Sequence, residues 1–205
     1  MAENISSCHP NEDNRYICAD LSKQDEIEYM IGKLPEKIDG VVHCAGVSRI
    51  APIMFTDRKK NREVFDINFF SWCEITRLLI KKRIIKKGGS LVSISSISAN
   101  ELITPANGSY GASKAAMISW NKYCALEFAP KGIRVNSISP GMIDTPLIHN
   151  TEISSEELIN NMSKYPLGRY GRPEDIAWGA IYLLSDASIW ITGINLIIDG
   201  GITLT

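Results

Sequence analysis

The chain has 205 residues, 44% of them apolar, with 22 basic against 23 acidic side chains. That is the size of one domain with a sizeable core, and a formal charge of −1 argues against a nucleic-acid-binding surface spread over the protein. No apolar run reaches the length that spans a bilayer, so no membrane partner is expected, and Met1–Asn4 does not open a secretory signal.

Five scattered cysteines without a Cys-x-x-Cys pair argue against a disulfide framework or a zinc site. The reduced cytoplasm is the expected compartment, and no metal is expected. In chain order, short Val- and Ile-rich runs predict strands at Tyr16–Ala19, Gly40–Cys44, Ser90–Ser95, Arg134–Ser139 and Ile194–Ile198. Each is continuously apolar rather than alternating, which suits strands covered on both faces. Amphipathic stretches predict helices at Lys23–Leu34, Asn61–Lys82, Tyr110–Ala129, Ser155–Lys164 and Glu174–Leu184. Lys81, Lys82, Arg83, Lys86 and Lys87, followed by Gly88-Gly89, read as the basic end of the long helix, where cations complement the dipole. Pro173-Glu174-Asp175 is a helix start. The alternation predicts a single α/β domain over residues 1–205 with a doubly wound, Rossmann-like parallel sheet.

Tyr110 and Lys114 stand at i and i+4 on a predicted helix and share a face. An ammonium beside a phenol favours the phenolate and makes Tyr usable as an acid or base. Tyr29 and Lys33 have the same spacing but lie on a charged helix with no serine cluster or strand end nearby, and read as surface. Context distinguishes Tyr110. The strand at Leu91–Ile94 runs into Ser95-Ser96-Ile97-Ser98, and ligand groups in open α/β sheets collect at the carboxyl ends of strands. A serine hydroxyl there has the chemistry to hydrogen-bond a carbonyl or alkoxide oxygen.

These residues, with Asp20-Leu21, His43-Cys44-Ala45-Gly46, Asn68, Tyr110-Gly-Ala-Ser-Lys114, Pro140-Gly141-Met-Ile143-Asp-Thr145, Gly171–Asp175 and Asp199-Gly200-Gly201 in this order, resemble the short-chain dehydrogenase/reductase family, most of all its 3-oxoacyl-acyl-carrier-protein reductase type. The resemblance covers roughly nine-tenths of the chain. It implies an NAD(P)-dependent oxidoreductase, NADP slightly favoured, that reduces a carbonyl or oxidises a secondary alcohol of a small molecule. It assigns Tyr110 as the acid–base, Lys114 to lowering the phenol pKa and to the nicotinamide ribose, Ser96 to the reacting oxygen, and Asn68 to a water in a proton relay. Asp20 and Leu21 would meet the adenine end, Cys44-Ala45-Gly46 the adenosine ribose, and Pro140, Gly141, Ile143 and Thr145 the nicotinamide. Helices Asn61–Lys82 and Tyr110–Ala129 correspond to the family's subunit contacts, which implies a homodimer or homotetramer.

The sequence departs from the family in three places. No Thr-Gly-x-x-x-Gly-x-Gly turn is present, so the opening β-α-β unit that holds the cofactor phosphates is missing and the sheet is incomplete at its N-terminal end, its first two strands absent. In the family those strands lie between Tyr16–Ala19 and Gly40–Cys44, which leaves two apolar edges to be closed, shared or left open. Cys44 stands where Asn is usual, and reads with His43 as a core pair. Ser96 precedes Tyr110 by fourteen residues, one more than usual, so Ser95 or Ser98 competes with it as the working hydroxyl. The stretch Leu147–Tyr165 corresponds to a substrate lid, and His9 and His149 read as loop residues. A different reading of the missing turn is a non-catalytic chain kept for assembly, or a fragment of a longer enzyme.

Overall fold

A computed structural model describes residues 15–145 and 160–205. Four parallel strands form one sheet in the order β1-β2-β3-β4: β1 Ile38–His43, β2 Ile85–Ile94, β3 Arg134–Pro140 and β4 Asn195–Ile198. Between them run α1 Gln24–Gly32 before β1, α2 Arg58–Phe65 and α3 Ser71–Lys81 before β2, α4 Gly108–Phe128 before β3, and α5 Pro173–Leu184 before β4. The helices cover the sheet unequally. α1, α3 and α4 close one face around Trp72, Leu79, Leu91, Met117 and Val135, whereas α5 covers the other through Ala180 and Leu183 against Val92 and Ile138. The second layer does not reach β1 fully: Val42 is exposed although it lies within a strand.

All seven residues of β3 are buried, polar ones included. They are paid for by hydrogen bonds from neighbours. The Asn121 amide of α4 donates to the hydroxyls of Ser93 and Ser137, at 2.7 and 2.9 Å, and accepts from the Trp72 indole at 2.7 Å. A buried amide so satisfied fixes the rotation of α4 over β2 and β3.

Several predicted bounds change. Tyr16–Ala19 is not a strand, because no described strand lies beside it to receive its backbone bonds, and an apolar run without a partner has no ladder to join. Among the described residues β1 is therefore an edge strand. β2 starts at Ile85, so Lys86, Lys87, Gly88 and Gly89 belong to a strand and not to a helix end. The register of β1 on β2 shifts between Ile38 and Gly40, and Gly88 takes φ +85° opposite that irregularity. The long helix is interrupted: Asp66–Phe70 forms a π turn between α2 and α3. Of the predicted Ser155–Lys164 helix, residues 160–162 are helical and Ser163-Lys164 form a turn, while residues 155–159, like Cys8, His9, Leu147 and His149, lie outside the described residues.

Candidate functional site

Parallel strands end at one edge of the sheet, so the segments after His43, Ile94 and Pro140 meet there. Helix α4 is pressed onto that edge. Gly111 is required at the contact, since a Cβ there would lie 2.5 Å from the Ser98 carbonyl oxygen. One turn further, Lys114 is 3% exposed, and its ammonium donates to the Ile94 carbonyl at 2.8 Å and lies 5.7 Å from the centre of the Tyr110 ring.

The three candidate serines separate by their bonds. Ser95 donates to the Lys114 carbonyl and is consumed in holding the helix. Ser98 accepts from the Asn107 amide. Ser96 is the one whose hydroxyl lies close enough to favour the Tyr110 phenolate, and its Oγ accepts from the Ser98 N–H at 3.1 Å. The chain turns sharply after Ser96, and that turn, more than the count of residues to Tyr110, sets where its hydroxyl stands.

Asn68 is fully buried in the π turn, a local geometry frequent at functional sites. Its amide clamps Val47 from both sides, Oδ1 accepting from the Val47 N–H at 2.7 Å and Nδ2 donating to the Val47 carbonyl at 2.9 Å. Nδ2 also donates to Ser113, a residue that sequence patterning did not single out and whose own hydroxyl donates to the Tyr110 carbonyl. The clamp lowers Gly46 onto the site. A Cβ at Gly46 would come within 3.1 Å of the Lys114 ammonium and 3.4 Å of Asn68 Oδ1.

Burial sets the protonation of this cluster. Desolvation pulls Lys114 down to about 8, opposed by the nearby Cys44 thiol. For Tyr110 burial is the largest influence and raises the pKa, while the nearby Ser96 hydroxyl acts against that rise. Tyr110 is thus held as a protonated phenol at neutral pH, poised to donate. His43 stacks on Trp72 with ring centres 4.9 Å apart, and burial, helped by Lys114, lowers it to about 4. Its Nε2 is buried without a hydrogen-bond partner among the described residues. Cys44, read with it as a core pair, is exposed instead, because the chain leaves the sheet there.

Pro140 ends β3, and the next residues are tied down from outside the sheet. Met142 and Asp144 exchange backbone bonds with Gly171 at 2.9 and 2.8 Å around an Ile143–Gly171 bridge, and Gly141 packs on Asp199. Thr145 donates to the Ile143 carbonyl. The adenine-end candidates are less built. Leu21 packs on the α1 side of the core, but Asp20 spends its carboxylate on Ser22 and Lys23 at the start of its own helix.

This arrangement has a counterpart in known proteins. The family model described as enoyl-(acyl carrier protein) reductase matches residues 2–203. The chain is 31% identical over 198 residues to a 3-oxoacyl-[acyl-carrier-protein] reductase of Thermotoga maritima, covering 95% of this chain and 79% of that protein. It is 36% identical over 190 residues to the enzyme of the same name from Chlamydia muridarum, covering 91% and 75%. A short chain dehydrogenase family protein from Francisella tularensis superposes with a TM-score of 0.86 at 31% identity, over 96% of this chain and 84% of that one. The chain belongs to the short-chain dehydrogenase/reductase family of oxidoreductases. Family members use NAD(P)(H), and the residues present fit one end of such a cofactor. Gly46 leaves an approach to Lys114, and the fixed Pro140–Thr145 segment lies at the same sheet edge. The diphosphate end does not fit, since the 205 residues hold no Gly-rich turn and β1, where the family's phosphate-binding strand would pair, has an open edge among the described residues.

Proposed function

We propose that the chain reduces a carbonyl, or oxidises the corresponding secondary alcohol, with Tyr110 as proton donor and acceptor. The observation that carries this reading is the cluster in which the Ser96 hydroxyl stands by the Tyr110 phenol while the buried Lys114 ammonium lies over its ring. A nicotinamide, when bound, supplies or takes the hydride. The chain's own residues act on oxygen. Ser96 donates to the carbonyl oxygen, the neutral phenol releases its proton there as negative charge develops, and Lys114 stabilises the phenolate left behind. Asn68, with its amide committed to Val47, serves by fixing the Gly46 loop against Lys114. NADP is favoured over NAD on the family likeness, and a 3-oxoacyl thioester is the substrate that the names of the reductase relatives suggest.

A homo-oligomer formed through α3 and α4 completes the reading. A groove of about 490 Å³ runs between these helices, lined by Phe70, Ile80, Trp120 and Tyr123, and Phe70 and Tyr123 stand exposed beside it. Its four described cysteines are free, which suits a reduced, cytoplasmic setting.

The test is oxidation of NADPH at millimolar concentration with a short 3-oxoacyl thioester, by wild type and by Tyr110→Phe. Wild type is expected to turn over and the variant to lose at least ~100-fold. Equal rates would remove Tyr110 from the chemistry.

A further inference from the structure

The loop between β1 and α2 carries a surface that this chemistry does not use. Its turn at Ile53–Phe55 sets three apolar residues in succession after Pro52, and Ile53 and Met54 keep 81% and 82% of their surface. Phe55 and Ile50 are exposed as well. A side chain on a groove wall loses much of its surface to its neighbours, so residues this bare form a knob. Single exposed apolar residues are ordinary, but four within six positions make a patch.

Cations ring the knob. Arg49 precedes it and Arg58, Lys59, Lys60 and Arg62 follow, with Asp57 the sole acid in that stretch of a chain whose net charge is −1. The Lys60 ammonium donates to the Phe55 carbonyl at 2.9 Å, which sets a charge at the base of the turn. Arg62 lies 3.6 Å from Asp66, while Arg58 and Lys59 are in no ion pair among the described residues. Three cations in the first turn of α2 face the positive end of its own dipole, an arrangement that costs the helix and that Asp57 offsets by capping Lys60 N–H. Folding alone does not account for that placement; an anionic partner does.

We propose that this knob docks on an anionic lipid surface, with Ile53, Met54 and Phe55 entering the headgroup–acyl boundary and Arg49, Arg58 and Lys59 among the headgroups. An acidic protein fits less well. A stable protein interface needs about 1,200 Å² or more and a cavity shaped to the knob, whereas a bilayer yields to a protruding turn. The expectation of no membrane partner rests on the lack of a spanning segment, and among the described residues no helix is long and apolar enough to cross a membrane; a surface contact needs none. The knob is joined to the start of α4: Ile53 lies against Gly108, the Ala51 N–H donates to the Ala106 carbonyl, and the Ser109 hydroxyl bonds to Asn61 of α2. Docking would therefore bring the mouth of the Tyr110 site to the lipid, though the docking itself does not depend on turnover or cofactor.

The test is co-sedimentation of the full chain with vesicles of phosphatidylcholine alone or with one-third phosphatidylglycerol. Binding is expected to be at least ~10-fold stronger with phosphatidylglycerol and to weaken with salt, and Ile53→Asp/Met54→Asp is expected to lose ~10-fold or more. Lys59→Glu should cost about fivefold. Both variants change exposed residues, and unchanged melting curves would show that they fold. Absence of binding, equal binding to the two vesicles, or an undiminished double variant would each overturn the proposal. So would competition by soluble polyglutamate that is as effective against the double variant as against wild type, since charge alone would then explain the contact.

Discussion

Two tyrosine–lysine pairs on this chain have the same helical spacing and nearly the same geometry. In Tyr29–Lys33 at the end of α1 the ammonium lies 5.2 Å from the ring centre, and in Tyr110–Lys114 on α4 it lies 5.7 Å away. Their surroundings differ entirely. Tyr29 is 57% exposed, and no serine hydroxyl or strand end meets it. Around the second pair close the Ser96 hydroxyl, the Ile94 carbonyl, Gly46 and the Asn68 clamp, and Lys114 is buried. Spacing brings two side chains together on any helix; chemistry requires that they also be desolvated and aimed at the place where a ligand can sit.

The comparison is broken most sharply by removing each phenol oxygen. Tyr110→Phe is expected to lower turnover by ~100-fold to ~10,000-fold, whereas Tyr29→Phe should leave it within about twofold, both read from NADPH oxidation. Acid stability probes the same burial at His43. Its folded-state value of about 4 lies below the ordinary 6.5, so the unfolded chain takes the proton first. Stability is then full above pH 6.5 and falls as pH drops toward 4, by up to about 3 kcal/mol, and denaturant titrations of His43→Phe should show a flatter profile.

Lys114 gives an effect of the same direction in a higher pH window. It titrates at about 8 in the folded chain, below its ordinary 10.5, so stability should rise as pH climbs from 8 to 10.5. Lys114→Met removes a desolvated charge and is expected to stabilise the fold at pH 7 by about 1–2 kcal/mol, after the lost bond to Ile94, while abolishing turnover. Lys33→Met should shift stability by less than about 0.5 kcal/mol. The smallest change is expected from Asp20→Asn, again within about 0.5 kcal/mol, because its contacts are exposed and local.

The catalytic half of the fold was legible in the sequence because its signals are local. β3, β4, α4 and α5 follow their apolar runs to within two residues, and Tyr110, Lys114 and the serine cluster follow from one helix face and one strand end. What escaped depends on partners elsewhere in the chain. Tyr16–Ala19 has the composition of a strand, and only the missing neighbour makes it coil. The choice among Ser95, Ser96 and Ser98 rests on a backbone turn, and Lys114 is held by a backbone carbonyl that carries no side-chain signal. The rise of the Tyr110 pKa is likewise invisible to spacing, since it comes from burial by the whole assembly of α4 on the sheet.

The central claim is that the site around Tyr110 is built for the nicotinamide end of a cofactor while the diphosphate end has no cradle among the described residues. The most direct measurement is a fluorescence titration of the chain with NADPH and NADH beside reduced nicotinamide mononucleotide. The account predicts that the dinucleotides bind no more than a few-fold tighter than the mononucleotide, because nothing among the described residues grips the diphosphate. NADPH or NADH binding ~100-fold tighter than the mononucleotide would contradict it, and would mean that another part of this chain has taken over the phosphate contacts.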